Sequence, residues 1–218
     1  MKLNIYNEGI QMENEVIINT SNDVYPPSED SYLLIDTLLS YLKDSKNSNL
    51  SLLDIGTGTG VIGISSVKSN CIGKLTLSDI NPKAVSLTKN NLKENHNILN
   101  GIKVNVLQSD LFSNIPKEKY DIITFNPPYL PNEENSKILT EAFFGGWSGI
   151  EVTQSFLKSS LEYLSDDGVI FIVSSSLGNM EKLILFIKNL NLEIKMQEKV
   201  HIFFEDIICS VLYLKNKN

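Results

Sequence analysis

Leu53-Asp54-Ile55-Gly56-Thr57-Gly58-Thr59-Gly60 leaves a short apolar run and enters a helical pattern, and this turn decides the fold. Glycines here let the backbone approach a ligand closely, and a helix start presents free N–H groups. Read as Gly58-x-Gly60-x-x-Gly63 with Asp79 nineteen residues beyond Gly60, the stretch satisfies the dinucleotide-binding pattern. On its own such a match is also given by a tight strand-to-helix turn that binds nothing. The surroundings add weight. Apolar runs at 50–54, 74–79, 102–108, 120–125 and 169–174 alternate with helical patterns. The first is set by Tyr32, Leu34, Ile35, Leu38, Leu39 and Leu42, and the rest begin near Thr59, at Asn81-Pro82, at 150–164 and at 180–190. Alternation of this kind predicts a parallel sheet with helices on both faces and a ligand site outside the carboxyl ends of the strands.

The chain ends differently. Segments 192–199 and 206–214 are joined only by 201–205, and so short a connection demands an antiparallel pair. The fold class expected is α/β, a doubly wound, seven-stranded, mostly parallel sheet with a C-terminal antiparallel hairpin. One domain is expected over 1–218, an N-terminal extension at 1–30 preceding a Rossmann-like core at 31–218. Residues 22–31 read as turn-rich, and 131–137 as a polar, mobile loop.

The 218 residues are 42% hydrophobic and 21% charged, which are globular values. All 19 basic residues are lysine, and 26 acids give a net charge of -7. That balance opposes wrapping of nucleic acid, which draws on clustered Lys and Arg. Cys71 and Cys209 have no paired spacing and read as buried thiols of a reducing compartment. With no secretory signal and no run of roughly 18 apolar residues, a soluble cytoplasmic protein is expected. His96 and His201 show no metal spacing, so no metal is expected. Phe203 and Phe204 read as core or rim aromatics.

Asp79 closes the second strand on the edge that carries the glycine turn, where a carboxylate can accept both ribose hydroxyls of an adenosine. Asp110-Leu111 follows the third strand, where a carboxylate and a backbone N–H can hold an adenine edge. The most specific element is Phe125-Asn126-Pro127-Pro128-Tyr129, directly after the fourth strand. Two prolines fix the backbone and remove N–H donors, which leaves the Asn126 amide and the Pro127 carbonyl presented. Together they form a slot for a planar NH2 group, with Tyr129 packing on its plane.

This combination resembles the class I methyltransferases that use S-adenosylmethionine, within them the Asn-Pro-Pro-Tyr group. Val24-Tyr25-Pro26-Pro27-Ser28-Glu29-Asp30-Ser31-Tyr32-Leu33-Leu34 and Gly145-Gly146-Trp147-Ser148-Gly149-Ile150-Glu151-Val152 narrow the match to the HemK-type glutamine methyltransferases that modify peptide-release factors. It is most similar to the short archaeal and eukaryotic branch, since there is no room for the extra N-terminal domain of the bacterial enzymes. The resemblance implies that Ser31, Asp54, Gly56 and Gly58 line the methionine part of the cofactor, Asp79 the ribose, and Asp110 with Leu111 the adenine. It also implies catalytic roles for Asn126, Pro127 and Tyr129, with Asn126 touching cofactor too, and a substrate amide held by Asn126, Pro127, Pro128, Tyr129 and Leu130. In the loop where the family reads Gly-Gly-x-Asp-Gly, Trp147 and Ser148 depart from the pattern.

The usual strand order of the class, three, two, one, four, five, seven, six, leaves the third strand at an edge, where short members of the family take a small zinc-binding activator protein. A helix or the loop at 95–100 covering that edge is the alternative. Three other functions compete. A nicotinamide dehydrogenase would leave residues 126–129 unexplained. A methyltransferase of exocyclic amino groups in RNA or DNA uses the same slot, but lacks here a basic surface and a target-recognition domain. A binding module without catalysis would not need the intact slot.

Overall fold

In this computed structural model residues 16–129 and 147–215 are described. Seven strands, β1 (Leu50–Ile55), β2 (Ile72–Asp79), β3 (Lys103–Gln108), β4 (Tyr120–Phe125), β5 (Leu164–Ser175), β6 (Leu192–Ile202) and β7 (Glu205–Leu214), form one sheet in the order β3-β2-β1-β4-β5-β7-β6. Its first five strands pair in parallel, and β7 lies antiparallel to both β5 and β6. The helices are α1 (Glu29–Lys43), α2 (Val61–Ser66), α3 (Pro82–Glu94), α4 (Glu151–Ser160) and α5 (Met180–Asn189).

The two-residue period of the strands sorts the core onto two faces. Leu52, Ile122, Val169, Phe171 and Val173 join Leu34, Leu38 and Ile64 of α1 and α2 in one cluster. Their neighbours Leu53, Ile123, Ile170 and Ile172 join Phe156 of α4 and Ile187 of α5 in the other. Where strand pattern and helix spacing agree in this way, the sequence specifies the layers.

Four local expectations change. The helix expected to run to Leu164 stops at Ser160, and β5 starts at Leu164, opposite Tyr120. Asp166-Asp167-Gly168 had hidden its first turn of strand. α1 begins at Glu29, inside the stretch read as turn, once Pro26-Pro27 has ended. β6 runs to Ile202, so the hairpin turn is only Phe203-Phe204, and both rings stand exposed rather than in the core.

The described part of the N-terminal extension is built into the fold. Val16 and Ile18 are buried, and Asn91 on α3 with Asn95, which caps its C-terminus, treat that segment as a neighbouring strand. Ile17 N–H donates to Asn95 Oδ1 at 2.9 Å and Asn19 N–H to Asn91 Oδ1 at 2.9 Å, while the amide groups donate back to the carbonyls of Ile17 at 2.7 Å and Asn19 at 3.0 Å. The segment then leads over the cavity described next. β3 pairs with β2 alone among the described residues, and Lys103, Asn105 and Gln108 are exposed along it.

Candidate active site

A cavity of about 770 Å³ opens over the carboxyl ends of β1, β2 and β4. Its walls gather Ser31, Gly56, Gly58, Asp79, Asp110, Leu111, Asn126, Pro127, Pro128 and Tyr129, ten of the residues singled out in the sequence. Leu130 lies outside the described residues.

The glycine turn is clamped from below. Thr57 N–H donates to Ser78 O at 2.9 Å, Gly58 N–H to Asp79 Oδ2 at 2.8 Å, and Thr88 Oγ1 to Gly58 O at 2.9 Å. Gly60 opens α2 at φ +85°, a left-handed conformation that penalises any Cβ. The third glycine of the pattern serves packing, for a Cβ on Gly63 would lie 2.3 Å from Leu77 Cδ2.

Two carboxylates that look alike in the sequence do different work. Asp79 faces the cavity while its oxygens accept from Gly58 N–H and Asn81 N–H, the latter at 2.9 Å, so it fixes the glycine turn and the start of α3 together. Burial raises its pKa, against those backbone bonds. Asp54 is not in the cavity wall. It is fully buried beneath, accepting from Thr57 Oγ1 and Thr124 Oγ1, both at 2.6 Å. Burial pushes its pKa up to about 6, with the two threonine hydroxyls opposing and the Asp79 charge adding to the rise.

Asp110 is exposed at the rim, where Leu111 takes φ +44° and its carbonyl accepts from Ser109 Oγ at 2.8 Å. The Asn126 slot hangs on a residue that the sequence reading passed over. Asp30, buried in the first turn of α1, accepts from Tyr129 Oη at 3.0 Å, Tyr25 Oη at 3.2 Å, and Ser31 N–H and Oγ at 2.6 and 3.1 Å. Burial and the Asp30 charge keep the Tyr129 hydroxyl protonated well above its ordinary range. Ser31, its hydroxyl hydrogen given to Asp30, accepts from Asn126 Nδ2 at 3.4 Å. That relay orients the amide. Asn126 Oδ1 is left buried with no hydrogen-bond partner among the described residues, and a buried unmade bond of this kind costs about 1–3 kcal/mol. Tyr25-Pro26-Pro27-Ser28-Glu29-Asp30-Ser31 held the only local signal for Asp30, an acid in a first turn, which reads equally as a helix-dipole partner.

Asp23, Asp30, Asp79 and Asp110 line the cavity, and no lysine does among the described residues. The chain has no arginine. A ligand carrying phosphates would meet like charge here, whereas a cationic one is favoured.

The description "Methyltransferase small domain" matches residues 30–202. A protein of Methanocaldococcus jannaschii described as a protein N5-glutamine methyltransferase is 39% identical over 189 residues, 85% of this chain and 89% of its own. The chain belongs to the HemK-type protein glutamine methyltransferases. A further member, the eRF1 methyltransferase catalytic subunit mtq2 of Schizosaccharomyces pombe, is 32% identical over 70% of this chain and 72% of its own. The fold of this HemK-type chain is that of a chain in the E. cuniculi Mtq2-Trm112 complex, with a TM-score of 0.63 at 23% identity, covering 88% of this chain and 98% of that one. As a methyltransferase it is an enzyme, and the nicotinamide and non-catalytic alternatives fall away. No helix of the described residues is long and apolar enough to cross a membrane.

Proposed function

We propose that this single-domain protein transfers a methyl group from S-adenosylmethionine to the side-chain amide nitrogen of a glutamine in a protein, a peptide-release factor in the cytoplasm. The relatives described above as glutamine and eRF1 methyltransferases support the class of substrate. One observation carries the chemistry: the buried, unpartnered Asn126 Oδ1, which a substrate N–H satisfies.

The acidic, lysine-free lining fits a ligand bearing both a sulfonium and an ammonium charge. When bound, S-adenosylmethionine supplies an electrophilic methyl group. The protein's part is to hold and to aim. Asp79 accepts the ribose hydroxyls, Asp110 and Leu111 take the adenine edge, and Ser31, Gly56 and Gly58 line the methionine part. Asp54 acts from beneath, through Thr57. At the slot, Asn126 Oδ1 and the Pro127 carbonyl each accept one N–H of the substrate amide, Pro128 keeps the turn rigid, and Tyr129 packs on the amide plane. An amide nitrogen is a poor nucleophile, so positioning dominates and no strong base is needed. The nitrogen loses one proton to water as it gains the methyl.

The decisive experiment incubates the purified protein with labelled cofactor and a release factor, then maps the label by mass spectrometry. A methyl on a glutamine amide is expected, and a label found only on nucleic acid in the same mixture overturns the function. Asp79→Ala should weaken cofactor binding at least about tenfold in calorimetry, since it deletes a charged acceptor and the clamp on Gly58 together. Unchanged affinity would remove Asp79 from the site.

The open edge of β3, with half-buried Val104 and Val106 between exposed polar residues, is where we place a small zinc-binding activator, adding a strand by main-chain hydrogen bonds. Co-expression is expected to give a one-to-one complex with higher solubility and activity. Full activity of the lone chain, with no binding in gel filtration, counts against the partner.

A further inference from the structure

Four large apolar side chains face solvent from three turns beyond the carboxyl ends of the strands. Phe203 and Phe204 make up the β6–β7 turn at 87% and 93% exposure, Trp147 is 73% exposed and Leu177, after β5, 51%. The turns are tied to one another. Ser176 N–H donates to Asp206 O at 2.9 Å, Asp206 N–H to Ser176 Oγ at 2.8 Å, and Asn179 N–H to Ser148 O at 3.1 Å.

This rim adjoins the slot. Phe125, which precedes Asn126, lies opposite Ile172, and Ile172 opposite Ser210, so β7 stands two strands from β4, about 10 Å away. The hairpin then rises five residues further to Glu205, about 17 Å, past the edge on which the slot opens. Ser175 Oγ donates to Glu205, whose charge reaches the hydroxyl of half-buried Tyr129.

Local physics disfavours this turn. A two-residue hairpin prefers Asn-Gly or a leading glycine, yet here Phe203 sits at φ +51° and both rings lie in water. Beside the turn, Lys199 Nζ and His201 Nδ1 lie 3.0 and 2.8 Å from the Asp206 carboxylate. An apolar rim maintained against turn preference and solubility marks a contact surface.

We propose that this rim docks the polypeptide that carries the target glutamine, with Phe203 and Phe204 packing on apolar side chains of an extended segment whose glutamine enters the slot at Asn126. The inference rests on the proposed protein-glutamine activity. It is separate from the activator, because β3 and the hairpin lie at opposite ends of the sheet. An extended chain spans from slot to tip in about five to six residues, so the contact reads sequence or shape near the glutamine.

The test exchanges the turn for residues that suit its left-handed first position, Phe203→Gly with Phe204→Asn, a change that the hairpin accepts with equal or higher melting temperature. With a folded release factor as substrate, the Michaelis constant should rise at least about tenfold, while kcat stays within about twofold and calorimetric cofactor affinity is unchanged. Leu185→Ser, removing an equally apolar group 60% exposed on α5, should change none of these. An unchanged Michaelis constant overturns the docking surface, as does a parallel loss of cofactor affinity, which would mean that the tip merely supports Tyr129. A parent that gel filtration shows to be a dimer, and a variant that is a monomer, assigns the rim to a second copy and overturns it as well. A parent that methylates no release factor overturns both this and the function beneath it, whereas the other outcomes leave that function standing.

Discussion

Asn126→Ala lowers turnover about 100-fold or more with little change in cofactor affinity. The magnitude follows from the loss of a preorganised polar contact at the reacting group, which in other enzymes costs on the order of 100- to 1000-fold. The structure adds the reason why this side chain is preorganised. Its amide is held by the relay from Asp30 through Ser31, and its Oδ1 lies buried with no hydrogen-bond partner among the described residues. The energy of that unmade bond is released when the substrate N–H arrives, so the contact orients the amide without reorganising first. Alanine removes both the acceptor and the penalty, and the variant should therefore be folded and at least as stable as the parent. Single-turnover rates with saturating cofactor give the measurement, and near-parent turnover would exclude the role.

What could be read from the sequence depended on range. The central strands show themselves as short, nearly continuous apolar runs because they are covered on both faces, and the glycine turn shows itself because its constraints are local. The Asn-Pro-Pro-Tyr stretch was legible for the same reason: prolines dictate backbone wherever they occur. Asp30 was not, because its meaning comes from Tyr129, 99 residues away. Asn91 and Asn95 likewise look like polar positions on a helix until residues 17 and 19 lie beside them, 72 and 78 positions distant. Asp54 and Asp79 look alike as acids near strand ends, and only the sheet pairing reveals that Asp54 lies level with Leu77, two residues short of Asp79, so that it sits beneath the cavity that Asp79 lines. Phe203 and Phe204, which read as core or rim aromatics and prove to stand at the rim, stayed undecided for a different reason. Aromatic pairs are usually buried, and a sequence reports hydrophobicity without reporting whether the chain spends it on its own core or on a partner.

Asp54→Asn should stabilise the cofactor-free protein, and by an amount that depends on pH. In the unfolded chain the carboxyl titrates near 3.8, and in the folded protein burial raises this to about 6. The folded state thus binds the proton more tightly, and folding stability falls as pH rises from about 4 to about 6 and then levels off. At about 1.36 kcal/mol per pH unit the separation of 3.8 from about 6 gives at most about 3 kcal/mol lost above pH 7. Asparagine resembles the protonated acid, and the Thr57 and Thr124 hydroxyls can rotate to meet its amide, so about 2 kcal/mol should be recovered. For a chain of 218 residues that corresponds to a melting temperature higher by roughly 4–8 °C at pH 8. The gain should vanish near pH 4, where parent and variant are both uncharged at this position, and taking the difference between the two cancels the titrating groups that do not interact with Asp54, leaving its coupling to Asp79 within the signal. A buried carboxylate kept at this cost is accounted for, under the proposed function, by what lies above it, an acidic, lysine-free cavity suited to a ligand that bears a sulfonium. The same variant should then bind S-adenosylmethionine several-fold more weakly, in the usual opposition between stability and function. A variant whose melting temperature matches the parent at pH 8 as well as at pH 4 would show that Asp54 carries no charge in the folded protein, and its place beneath the site would then be a matter of hydrogen bonding to the two threonines alone.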